Sequence, residues 1–182
     1  ANLFKQEYLA TAAEAFQMSG HDSYIQPELI VKARKTDCPE SGQLIIGYDP
    51  AWKGDDRHAM ARRKGRKLIG VECRLKLDTM EGAGWAKQVI DTEKPAKMFI
   101  DVGGVGAGVY DRLLEMGYGN IVTAINFGSK PFEPQLMDST GKQSGGAVNR
   151  RAEMWMKSKE WLEDVAGADI PDLDSLQGDA CG

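Results

Sequence analysis

The stretch Phe99–Leu113, FIDVGGVGAGVYDRL, decides the fold. It runs from an apolar segment through one carboxylate and four glycines into a helical pattern, which reads as strand, turn, helix. Such a unit either cradles the phosphates of a nucleotide or presents its carboxylate. A dinucleotide loop needs G-x-G-x-x-G, and glycines at 103, 104, 106 and 108 offer no start point with that spacing. Its acid would also follow the glycines by about 20 residues, whereas Asp101 precedes them. Neither Gly128-Ser129-Lys130 nor Gly141-Lys142 continues into the Ser or Thr of a Walker A loop. The stretch therefore presents Asp101.

A carboxylate at the C-terminal end of a buried strand sits where active sites collect in open α/β sheets. Glycines just after it let another backbone, such as a phosphodiester strand, come close. QLIIGYD, residues 43–49, repeats the arrangement with Asp49, followed by the polar turn PAWKGDD. Two such strands would bring both acids over one edge of the sheet. Like charges there need neutralising, and hard divalent cations with oxygen ligands, Mg²⁺ or Mn²⁺, suit the task. A pair of these ions is a common device for phosphodiester hydrolysis, one activating water and the other stabilising the leaving oxygen. Either acid alone would equally serve as a strand-end surface carboxylate.

Working outward, HAMARRKG and RKLIGVECRLKL flank a basic turn at Lys64-Gly65 and predict a hairpin. Asp78-x-x-Glu81 resembles a capping box, opening a helix that pairs Trp85 with Val89 and Ala86 with Ile90. After the glycine turn, Val109/Leu113 and Tyr110/Leu114 pair in a helix that Gly117 ends. NIVTAINFG is the next strand, residues 128–148 form a long irregular loop, and Asn149 caps a last helix with Ala152, Trp155 and Leu162 on one face. The order predicts an α/β fold whose mixed central sheet, an antiparallel meander plus parallel strands, is flanked by helices. Residues 1–40 read as a lead-in: an amphipathic helix with Phe4, Tyr8, Ala12 and Phe16 on one side, a short helix from Pro27 through Lys32, then a linker.

The 182 residues, 42% hydrophobic and 27% charged, suit one cored domain. No apolar run approaches the ~20 residues of a membrane span, and no secretory segment leads the chain. Cys38, Cys73 and Cys181 are scattered, which argues for a reducing compartment and against a zinc site. The net charge of −4 hides a run of eight cations between Arg57 and Lys76 against Glu72 alone. This run reads either as a solvated hairpin tip or as a ridge contacting phosphates. His58 is expected to face solvent. Of the tryptophans, Trp52, beside the first acid, is the candidate for base stacking, the others for packing or half-buried surface.

At this point several motifs agree at once. IIGYDPAWKGDDRHAMARRKG, FIDVGGVGAGVYDRLLEMGY, INFGSKPFEP and NRRAEMWMKSKEWL together resemble the nuclease domain of tailed-phage and prophage terminase large subunits, the DNA-packaging motors, over about residues 43–165. The resemblance implies a ribonuclease H-like fold and metal-dependent cleavage of double-stranded, concatemeric DNA with water as nucleophile and two Mg²⁺ or Mn²⁺ ions. Asp49 and Asp101 match the family's first two catalytic, metal-binding acids, and Asp55 or Asp56 falls near a further metal-side acid of some members. Arg62, Arg63, Lys64, Arg66 and Lys67 of the hairpin, with Arg150 and Arg151 at the last helix start, are the expected DNA contacts. Such phosphate contacts give little sequence specificity.

The resemblance further implies an upstream ATPase domain whose tail or linker is residues 1–40, with residues 41–182 as nuclease. A small terminase subunit and a portal protein are implied as partners, and a bacterial host cytoplasm as the setting. The family's third acid lies in a Pro-Asp motif on a C-terminal helix, expected beyond Gly182. Asp169, Asp172, Asp174 and Asp179 in ADIPDLDSLQGDACG therefore stay outside the catalytic set. The rival readings are a non-catalytic docking module of the motor and another ribonuclease H-like nuclease such as a junction resolvase.

Overall fold

In a computed structural model of the chain, residues 23–133, 136, 137, 139 and 143–173 are described. The expected helix over Phe4–Phe16, Asp174, Asp179 and Cys181 lie outside them. A short helix α1 (Pro27–Lys35) precedes a five-stranded sheet of order β3-β2-β1-β4-β5. Its strands are β1 (Leu44–Asp49), β2 (Arg57–Lys64), β3 (Lys67–Leu75), β4 (Lys97–Asp101) and β5 (Val122–Ile125). Strands β1–β3 form the antiparallel meander, and β4 and β5 run parallel to β1. This is the mixed sheet expected from the sequence.

Helices α2 (Thr79–Glu93) and α3 (Gly106–Glu115) cover one face. Alternation along the strands explains why: Ile46, Tyr48, Met60, Met98 and Ile100 all point to that side and are buried. They meet Trp85, Val89 and Ile90 of α2 and Val109 and Leu113 of α3. Burying each large side chain contributes ~1.5–3 kcal/mol, so the strand register is strongly specified. The capping box forms as expected, the Asp78 carboxylate accepting from Met80 N and Glu81 N while Asp78 N donates to Glu81. Leu114, expected to pair with Tyr110, is 42% exposed.

Helix α4 (Arg150–Glu163), capped by Asn149 as expected, lies beside the opposite, outer face. Between them runs a groove of about 700 Å³ bordered by Phe99, Ile125, Met154 and Trp161. Of Ala152, Trp155 and Leu162, expected on one face, only Leu162 is buried, and Trp155 is 40% exposed. Leu162 joins a second apolar cluster with Ile25, Ile30 and Ala33 of the α1 region and Ala168 and Ile170. Residues 25–33 are thus packed onto the domain rather than trailing from it. Two short strands, β6 (Leu136–Met137) and β7 (Gln143–Gly145), pair within the stretch expected to be irregular loop.

Candidate metal and nucleic-acid site

Strands β1 and β4 are hydrogen-bonded neighbours, with Tyr48 opposite Ile100. One residue further along each strand stand Asp49 and Asp101, at the same edge and both on the outer face, because their neighbours Tyr48 and Ile100 point into the core. A smaller groove of about 240 Å³ links the two acids to Gly47, Ala59, Ala61, Phe99 and Phe127. The two carboxylates feel each other: burial first, then the Asp101 charge, raises the Asp49 carboxyl above its ordinary value. The sequence reading of these two positions as one pair is what the geometry forms.

Glycines shape the Asp101 side. Asp101 Oδ1 accepts from Gly103 N at 2.9 Å, which fixes the carboxylate. A Cβ on Gly103 would stand 3.1 Å from that oxygen, and one on Gly106 would stand 1.7 Å from the Asp101 carbonyl oxygen. Helix α3 can begin this close to the strand end only because residue 106 has no side chain. Gly104, at φ +76, takes the left-handed conformation that turns the chain.

Behind Asp49, the sequence expectation for His58 is overturned. It is fully buried on the α2 face, since it alternates with the core residue Met60. The Leu77 carbonyl, 3.1 Å from Nε2, can only accept, so Nε2 donates and Nδ1 accepts from the Tyr48 hydroxyl at 2.8 Å. Burial, then the Asp49 charge, pushes the Tyr48 phenol upward, keeping it a neutral donor. Gly82 makes room for the pair, as a Cβ there would approach Tyr48 Oη to 2.8 Å.

Asp55 and Asp56 lie in the exposed loop between β1 and β2. Among the described residues no three His, Cys, Asp or Glu side chains cluster closely enough to hold a metal ion. The donor chemistry of the pair still fits a hard cation, since Mg²⁺ is commonly held by one or two carboxylates plus substrate phosphates and water. Asp169 is buried and occupied, paired with Lys67 at 2.9 Å and accepting from Cys38 N, and Asp172 pairs with Arg34. Both thus have partners of their own.

The structure sets the basic hairpin apart from the acids. Leu44 pairs with Lys64 at one end of β1 and Asp49 with Ala59 at the other. Five residue steps put the hairpin tip ~17 Å away along the strand. Its cations also have partners. Arg62 is on the α2 face, bound by Glu93 and Glu72; Lys64 pairs with Glu40, and Lys67 with Asp37 and Asp169. Arg66 donates to the Trp161 and Gly167 carbonyls and pairs with Asp164. Arg63 faces the outer groove, though Nη1 donates to the Gly65 carbonyl.

At the start of α4, Arg150 pairs with Glu153 and packs over Phe132, and Arg151 packs over Phe127. The first amides of this helix are all taken, Arg150 N by Ser129 O, Arg151 N by Phe127 O, Ala152 N by the Asn149 side chain and Glu153 N by Asn149 O. No anion site is left at that end. Glu153 escaped the sequence reading. It is buried, and its carboxylate accepts from Phe132 N at 2.8 Å and Glu133 N at 2.7 Å, which hold it below the ordinary Glu range. Its one sequence signal is an acid three residues after Arg150.

A central mixed sheet with α2 and α3 on one face is also the fold of solved terminase nuclease domains. In particular, the chain is similar to the nuclease domain of the large terminase subunit gp2 of bacterial virus Sf6, with TM-score 0.67 and 20% identity over 88% of this chain and 76% of that one. A point mutant of that domain with manganese and β-thujaplicinol matches at TM-score 0.67 and 21% identity over the same shares. A point mutant of gp2c from bacteriophage Sf6 with calcium matches at 0.66, 21%, and again 88% and 76%. No protein-family model and no curated protein matched the sequence.

Proposed function

We propose that this chain is a divalent-metal-dependent endonuclease that cuts double-stranded DNA during phage genome packaging. The observation that carries the reading is the Asp49–Asp101 pair, two carboxylates on one face at the ends of adjacent parallel strands. Its support is the fold, whose relatives include a manganese-bound nuclease domain. Asp49 and Asp101 would hold Mg²⁺ or Mn²⁺, with Asp55 or Asp56 as a further donor, and the ions would supply an activated water and charge stabilisation at the phosphate. The Gly103 amide keeps the Asp101 carboxylate aimed, and the Tyr48–His58 pair fixes the strand end behind Asp49. In this reading an ATPase domain precedes the nuclease in the same polypeptide, a small terminase subunit and portal choose the cutting site, and the setting is the host cytoplasm.

Plasmid cleavage in Mn²⁺, Mg²⁺ or EDTA, beside Asp49→Asn and Asp101→Asn, tests this. Metal-dependent linearisation lost in both variants is expected. A folded chain that cuts nothing and gains no thermal stability from Mn²⁺ overturns it in favour of the docking module, which the absence of a third nearby ligand among the described residues favours. Preference for four-way junctions over duplex would point to a resolvase instead.

A further inference from the structure

The cations left over once every ion pair, hydrogen bond and ring contact is assigned are not scattered evenly. Among the described residues, Lys53, Arg57, Lys76 and Lys130 have exposed side chains without such partners. Three of them stand at one edge of the sheet, and Lys130 follows β5, which ends at that edge. Strand β2 runs antiparallel to β1, so Arg57 begins β2 at the end where Asp49 finishes β1; Lys76 follows Leu75, the register partner of Arg57. Lys53 is in the loop joining Asp49 to Arg57. On the other flank, Asp101 pairs with Ile125, the last residue of β5, and Lys130 lies five residues on. The other unpartnered cations, Lys32 and Lys35 of α1 and Lys94 after α2, belong to elements that end away from this edge.

We propose that Lys53, Arg57, Lys76 and Lys130 form the phosphate-contacting track for duplex DNA, laid across the strand ends with the acid pair at its middle. This inference rests on the nuclease reading above and replaces the hairpin tip as the substrate-binding surface. Read across the sheet, the edge runs from the end of β3 beside Lys76 through Arg57, Asp49 and Asp101 to the end of β5, five residues before Lys130. At ~4.8 Å between strands this is about 19 Å, the length of five to six phosphates at ~3.4 Å axial spacing. An unpaired exposed cation gives up no internal ion pair on meeting a phosphate, whereas Lys67 or Arg62 would break two.

The Lys130 flank is held in place. Arg150 Nη2 donates to the Lys130 carbonyl at 2.8 Å, Ser129 O and Phe127 O accept from the first amides of α4, and Glu153 takes the amides of Phe132 and Glu133. The segment 127–133 is thus stapled to α4, with Phe132 72% exposed on it and Trp52 66% exposed on the opposite flank. Asp55 and Asp56 offset the charge of the 51–57 loop, so Lys53 and Arg57 act through direct contact rather than through a net positive field.

The test is binding of a 30-base-pair duplex of arbitrary sequence in EDTA, where no cut occurs, over a salt series. Removing one cation that neutralises a phosphate makes the slope of log K against log salt shallower by ~0.9. The quadruple alanine variant of the track is expected to flatten the slope by about 3.6 and each single variant by about 0.9, with Lys64→Ala unchanged. The side chains are exposed, and an unaltered thermal midpoint confirms that the variants fold. A slope unmoved in the quadruple variant, in a chain whose wild type binds and cuts plasmid with Mn²⁺, overturns the track and leaves the nuclease standing. A slope lowered by Lys64→Ala alone returns DNA binding to the hairpin tip. A wild type that neither binds nor cuts overturns both.

Discussion

Gly106→Ala isolates how tightly the start of α3 is pressed against the catalytic strand. One effect of the added methyl favours the folded state: alanine exceeds glycine in helix propensity by ~1 kcal/mol, chiefly because it trims the entropy of the unfolded chain. Against it, the new Cβ would meet the Asp101 carbonyl oxygen at 1.7 Å, its carbon at 2.9 Å and Pro50 Cγ at 3.3 Å. Reaching ordinary contact requires a backbone displacement of over ~1 Å in a close-packed region, and such overpacking costs typically 1–3 kcal/mol, sometimes more. Since the obstacle is main chain and not the end of a side chain, we take the upper end, ~3 kcal/mol, and after the propensity gain expect a net loss of about 2 kcal/mol. At roughly 2–4 °C per kcal/mol for a domain of this size, the thermal midpoint falls by about 4–8 °C. Circular-dichroism melting in EDTA reads this, and Mn²⁺ titration on the same samples should show weakened binding, because Asp101 moves with its carbonyl. Gly103→Ala is the comparison: its Cβ meets only the movable carboxylate at 3.1 Å, so metal binding weakens with little change in melting. A Gly106→Ala chain that melts at or above the wild-type temperature would refute the reasoning.

Two further outcomes follow from the charges. The Asp49 carboxyl is raised above its ordinary value of 3.8 by burial and by Asp101. A raised folded-state value means that the stability present below pH ~3.8 is lost as pH climbs through the folded value. Asp49→Asn, which carries no charge, should therefore melt higher than wild type at neutral pH in EDTA, with the gap closing towards pH 3.5. Mn²⁺ should reverse the order, and a gap independent of pH would sink this account. For Glu153→Gln, one acceptor oxygen and the charge opposite Arg150 are removed, so hydrogen exchange at the Phe132 and Glu133 amides should quicken while exchange in β1 and β4 stays unchanged; unaltered amides at 132 and 133 would mean that the staple is not needed.

The acid pair was legible because its signal is local. An apolar run ending in a carboxylate gives the strand and its end, and the glycines after Asp101 fix the sense of the turn. The core was legible for the same reason, through alternation such as Ile46/Tyr48 and Met98/Ile100. What failed was whatever depends on distant partners. Lys67 looks free in sequence, and its counterions Asp37 and Asp169 lie 30 and over 100 residues away. The cation run also invited a location near the acids, yet a meander that starts beside Asp49 must turn at the far end of β1. His58 was misplaced although its alternation with Met60 carried the answer, because a histidine among arginines reads as surface. Helical periodicity gives α4 its faces, but how far the assembled fold covers the face of Trp155 is not written in that period.

The register also makes the molecule a ruler. Asp49 is opposite Ala59, and Ala59 opposite Cys73, so the three share one row across the sheet and one face. Cys73 is exposed while Cys38 is buried. Two strand spacings put the Cys73 thiol ~10 Å from the first acid. A nitroxide attached there, with Cys181→Ser to keep labelling at one site, would sense paramagnetic Mn²⁺ arriving at the acid pair. The fold thus carries its own distance gauge for counting ions, beside the carboxylates and independent of any cut strand.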